Sequence, residues 1–168
     1  MTGTLLDGSS RGTGPEIAAR ALALNPADPN IIYATSFNEQ GVFEIDISTG
    51  DRTIISTAGG GLSGQVVGAG TAIGAPLGIH VDTDGSLLIA DLSTGGGAIV
   101  RVDPATGDRT LITAADNAAQ TPLDENGDPL AFGPFGVGVA NGEIFGAAGT
   151  GLFQVCLLYT SPSPRDRG

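Results

Sequence analysis

His80 is the sole histidine of the chain and stands between Ile79 and Val81 in an apolar segment. A neutral imidazole held there could shuttle a proton near neutral pH. The competing reading is a histidine packed between layers and satisfied by one hydrogen bond. A second candidate is the stretch DENGDP at 124–129, where Asp124, Asn126 and Asp128 alternate along the chain. Oxygen donors in that pattern suit calcium, although Gly127 comes early for an EF-hand loop and no bidentate Glu follows at the required distance. A solvated turn competes with calcium there. The carboxylate pairs Asp82/Asp84 and Asp124/Asp128 are turn residues before they are acid–base pairs. The chain has no G-x-S-x-G elbow, no Cys–His pairing pattern and no clustered zinc ligands.

The most conspicuous motif is TGDRT, at Thr49–Thr53 and again at Thr106–Thr110. Aligned on it, VFEIDISTGDRTIIS at 42–56 faces IVRVDPATGDRTLIT at 99–113, a shift of 57 residues. Upstream, NIIYATSF at 30–37 faces SLLIADLS at 86–93, and ALALN at 21–25 faces GIHVD at 78–82. A partial third copy runs through GVGVA at 136–140, GEIFGAA at 142–148 and LFQV at 152–155. At the His80 position the other copies carry Ala23 and Gly138, so no second polar group recurs there. Catalysis needs unlike groups converging on one point, whereas a motif repeated in each unit marks structure. Pro104 presets a turn, Gly107 can take the positive φ that closes it, and Asp46 and Asp103 can accept hydrogen bonds from the turn's own amides.

Each unit holds four short segments that read as strands. Leu87–Ala90 is continuously apolar, as a strand covered on both faces should be. Phe43, Ile45 and Ile47 alternate with Glu44 and Asp46. Asp84-Gly85, Asn141-Gly142 and the Thr-Gly pairs separate the strands. The expected fold is all-β, a partial (open) β-propeller of four-stranded antiparallel blades. Its divisions are the end of a preceding blade at 1–8, blade one at 9–57, blade two at 58–114 and a truncated blade three at 115–155. One local signal conflicts: Thr13, Pro15, Ile17, Ala21 and Leu24 have helical spacing. The repeat overrides it and leaves at most a helical turn around 15–19. RGTG at 11–14 reads as a turn. The glycine-rich connections at 59–76 and 114–134 are long loops on a rigid scaffold, where recognition usually resides.

Among 168 residues, 18 are acidic and seven basic, all seven Arg, for a net charge of −11. Such a surface repels phosphate backbones and argues against nucleic-acid binding. No apolar run is long enough for membrane insertion, and the lone Cys156 forms no internal disulfide.

The segment GAPLGIHVDTDGSLLIADLSTGGGAIVRVDPATGDRTLIT resembles NHL-type β-propeller repeats, within the wider group of streptogramin lyase-like and gluconolactonase-like (SMP-30-like) six-bladed propellers. The resembling positions include Pro76, Gly78, Ile79, Val81, Asp82, Asp84, Gly85, Leu88, Ile89, Asp91, Val100, Val102 and Asp103. The resemblance implies about six blades in a complete ring, of which residues 1–155 supply roughly two and a half. It also places inner strands, His80 included, around a central channel. The tail CLLYTSPSPRD at 156–166 resembles a translated sequencing-library adapter, so 156–168 is expected to be non-native. The expected function is a binding or scaffold module with a protein or small-molecule ligand on the long-loop face, and no cofactor beyond possible calcium. The alternative is part of a propeller enzyme of the lyase or lactonase kind. For the full-length protein an extracytoplasmic place is favoured.

Overall fold

The computed structural model describes residues 12–93, 97–114, 133–148 and 151–155. Twelve strands and no helix occur among them. The first sheet joins β1 (Ala19–Leu24), β2 (Ile31–Ser36), β3 (Gly41–Asp46) and β4 (Arg52–Ala58) as an antiparallel meander. A two-residue strand, β5 (Val66–Val67), adds to its outer edge. The second sheet runs β6 (Pro76–Val81), β7 (Leu87–Asp91), β8 (Ala98–Val102) and β9 (Arg109–Ala114) in the same order. The third contains β10 (Gly136–Ala140), β11 (Glu143–Ala148) and β12 (Gly151–Val155).

The turns explain why these segments pair with their sequence neighbours. Asn141 and Gly142 both have positive φ, 54° and 79°, the signature of a two-residue hairpin whose twist matches its strands. Gly50 and Gly107, at φ 79° and 77°, close the two TGDRT turns as the motif predicts. Asp46 accepts the Ser48 amide at 2.8 Å, and Asp103 accepts the Ala105 amide at 2.8 Å.

The sheets stack face to face around their first strands. β6 lies between β1 and β10. One core cluster joins Tyr33 and Val42 of the first sheet to Leu87, Ile89, Val100 and Val102 of the second. A second cluster joins Leu88 and Ile99 of the second sheet to Ile144, Phe153 and Val155 of the third. The middle sheet is therefore apolar on both faces, which is why β7 is buried along its full length. Consecutive antiparallel meanders with adjacent first strands are the blades of a propeller, here an open arc.

The helical spacing at 13–24 yields to the repeat, and no helical turn forms around 15–19. The carbonyls of Thr13, Gly14 and Pro15 accept hydrogen bonds from Arg52 instead, and the Ala18 amide is held by Asn38 and Ser36 side chains, so the backbone groups a helix would use are occupied. The alignment of 30–37 with 86–93 is one residue out of register. Ala19 pairs with Ser36 and Pro76 with Asp91, which makes Ser36 the counterpart of Asp91, a shift of 91 − 36 = 55. Because side chains alternate, that slip exchanges the two faces of a strand. Tyr33 thus corresponds to Leu88, and both face the following sheet.

Candidate functional site

The geometry of TGDRT accounts for each of its first four residues. Thr106 Oγ1 accepts the Asp108 amide at 3.2 Å, as Thr49 does for Asp51 at 3.1 Å. The Asp108 carboxylate accepts the Ala69 amide at 2.8 Å, and Asp51 accepts the Thr13 amide at 2.6 Å. Arg109 then grips the same strap: Nε donates to Thr71 O at 2.7 Å and Nη1 to Val67 O at 2.7 Å. Arg52 does likewise through Nε to Pro15 O at 2.8 Å. The straps Gly12-Thr13-Gly14 and Gly68-Ala69-Gly70 form a repeat of their own. At Gly68, with φ 73°, a Cβ would collide with the Gly107 carbonyl, so only glycine lets the strap lie flat on the turn. Gly12–Gly14 is therefore a strap clamped on the outer strand rather than an isolated turn, while Arg11 lies outside the described residues.

Arg109 also crosses between sheets. Its Nη1 donates to Ser56 Oγ at 2.8 Å, and that hydroxyl donates to Gly107 O at 2.6 Å. Only 6% of Arg109 is exposed. Burial pulls its pKa below the ordinary arginine value, and the ring of carbonyls supplies the acceptors that water would otherwise provide. TGDRT is thus an architectural latch.

His80 pairs with Leu88 across β6 and β7 and is partly buried. Ile79 and Val81 pack toward the first sheet, so alternation puts His80, with Gly78, on the face turned to the third sheet. Asp124, Asn126 and Asp128, and the tail 156–168, lie outside the described residues. No group of three His, Cys, Asp or Glu side chains among the described residues is placed to hold a metal.

Two rims frame the arc. On one lie the β1–β2, β6–β7, β3–β4 and β8–β9 turns. Between two of these sits a shallow cleft of about 440 Å³ lined by Asp84, Ser86, Arg101, Asp103, Pro104 and Thr110. Arg101 is spent inside it, paired with Asp84 at 2.8 Å and Asp82 at 3.2 Å and donating to Ser86 Oγ at 2.7 Å. The Ser86 hydroxyl and amide hold the Asp84 carboxyl below the usual carboxylate range. Asp82 and Asp84 are thus both paired with Arg101 there.

The opposite rim carries the β2–β3 turn and the long connections. There Glu39, itself buried, accepts the Ser63 amide at 3.1 Å, and the Leu62 amide donates to Asn38 O at 3.1 Å. These bonds bring two loops together and leave Leu62 81% and Phe37 45% exposed. The Arg20 guanidinium stacks 5.1 Å from the Phe37 ring centre. Phe135, just before β10, is exposed on the same rim. Sequence reasoning located the long loops but missed these residues. Their signal was a large apolar side chain inside a turn segment, as in SFNEQG and GGLSGQ. The second half of the 59–76 connection is not free for recognition, since Val66–Thr71 is bound to β4 and to the TGDRT turn.

No family profile matches the chain, and no curated protein matches it by sequence. Among solved structures, virginiamycin B lyase from Staphylococcus aureus is similar over 92% of this chain and 58% of its own, with 16% identity and a TM-score of 0.49. The computationally designed Ika4 protein is similar over 89% of this chain and 99% of its own, with 14% identity and a TM-score of 0.42. The chain thus spans less than two thirds of the lyase, at 58%. The strand order and face-to-face stacking carry the assignment: the described residues are three consecutive sheets of an open β-propeller arc.

Proposed function

We propose that this chain is a binding or scaffold module that recognises an apolar group of a protein or small-molecule ligand on its long-loop rim. One observation carries the reading. Phe37 and Leu62 are exposed on loops that the Leu62–Asn38 and Ser63–Glu39 hydrogen bonds fix to each other, with Arg20 stacked on Phe37. Exposed aromatic and aliphatic side chains on an immobilised rim are suited to recognition, because little entropy is lost on binding. The carboxylates and arginines of the opposite rim, by contrast, are occupied in turns and ion pairs. Kinship to NHL-type repeats belongs to the same proposal.

The test is selection of a peptide display library on the immobilised protein, followed by competition. Binders should be weakened at least tenfold by Phe37→Asp or Leu62→Asp and unaffected by Asp84→Asn. Binders that depend on Asp84 and ignore both apolar positions would overturn the proposal. The enzyme reading, a lyase-like or lactonase-like propeller with His80 near the channel, rests on the resemblance and on the inner-strand position of His80.

A further inference from the structure

The contact between one sheet's leading face and the preceding sheet's trailing face is built twice within the molecule. In the second sheet the leading face includes Ile79 and Val81, packed against Tyr33 and Val42. In the third it includes Val137 and Val139, packed against Leu88 and Ile99. Strand register identifies the same positions at the two ends of the arc. Leu24 pairs with Ile32 as Val81 pairs with Leu87, and Leu22 pairs with Ala34 as Ile79 pairs with Ile89. Leu152 pairs with Ala147 as Ile99 pairs with Ala90. Yet Leu24 is 76% and Leu152 73% exposed, whereas Ile99 is fully buried. Among the described residues, no sheet covers the leading face of the first sheet or the trailing face of the third.

We propose that these two end faces dock on each other between copies of this chain, head to tail, reproducing the sheet-to-sheet contact already formed inside each copy. The occupant follows from continuity with that established contact: the surface shaped to cover Leu22 and Leu24 is a trailing sheet face, and each copy carries one trailing face that no described sheet covers. Because the two patches are different surfaces, the contact is heterologous, closing into a ring if the rotation permits and extending otherwise. Burying apolar area supplies the drive, as it does between the internal sheets.

The test is sedimentation velocity and light scattering on the full 168-residue chain across a concentration series. The chain should associate. Leu24→Glu and Leu152→Glu should each weaken self-association roughly 10- to 100-fold, since each places a charge in an apolar contact. An equimolar mixture of the two variants should regain a one-to-one complex, because one intact leading face and one intact trailing face remain between them. Ile47→Glu, in the exposed β3–β4 turn, should associate like the parent. Far-ultraviolet dichroism of each variant checks that its strands persist, and Leu24→Ser serves if the charge prevents folding. A parent chain that stays monomeric throughout, or variants that do not complement each other, would overturn the proposal.

Discussion

Val81 and Leu24 occupy the same place in successive sheets, yet one packs into a core and the other stands in water. Both are aliphatic and both sit on a first strand. The difference is a neighbour: the first sheet lies against Val81, while no described sheet covers Leu24. The two arginines of the TGDRT motif differ in the same way. Arg109 is buried and reaches the preceding sheet through Ser56, whereas Arg52 grips only its own sheet's strap and turn. Repeat units have equivalent sequences but unequal energetics, because part of each unit's burial is provided by its neighbours.

The largest expected effect falls on the interior. Leu88→Ala, at a fully buried position between the second and third sheets, should destabilise by about 2–5 kcal/mol in chemical denaturation, from lost transfer energy and the cavity left behind. Arg109→Met should cost about 2–3 kcal/mol, since it strands the buried Gly107 carbonyl and Ser56 hydroxyl and the half-buried Thr71 and Val67 carbonyls. Arg52→Met should cost about 1 kcal/mol, because water can reach the groups it leaves. Equal losses at the two arginines would break the comparison. Gly68→Ala should follow at about 1–3 kcal/mol, since alanine at that φ also meets the Gly107 carbonyl.

Acid should act next. The Thr13 amide and hydroxyl lower the Asp51 pKa, and the Ser48 hydroxyl and amide lower that of Asp46. A carboxyl that is more acidic when folded stabilises the fold at pH values above its unfolded pKa, roughly 3.9. That stabilisation is lost as pH falls through the lower folded values, because protonation then favours the unfolded chain. Thermal scans should show a Tm that drops below about pH 4 in the parent and drops less in Asp51→Asn. A Tm that rises on acidification would contradict this. Smallest is Leu24→Ala, which should stay within about 0.5 kcal/mol in dilute solution, since its side chain is mostly hydrated already.

Much of the architecture was legible along the chain. The 57-residue spacing of TGDRT, the alternation in β3 and the Asn-Gly and Asp-Gly turns mark antiparallel units, because strand period and turn chemistry are local properties. The helical spacing at 13–24 was rightly outweighed by the repeat, and the groups that hold this backbone, Arg52 and Asn38, are far away in sequence. The one-residue slip at 30–37 arose because IIYATS and LLIAD are buried or half-buried along their whole length, so no alternation of apolar and polar residues marks one face of either strand.

The sequence by itself determined that this chain builds repeated four-strand units and that its paired motif is structural, since hydrophobic period and turn-forming residues act over a few neighbours. Only the tertiary structure decided what the motif's arginine and aspartate hold. It alone showed which rim leaves Phe37 and Leu62 exposed, and which equivalent leucines and isoleucines are covered. Those outcomes depend on contacts between residues about fifty positions apart, and burial at such a distance is set by the packing of whole sheets rather than by any local preference.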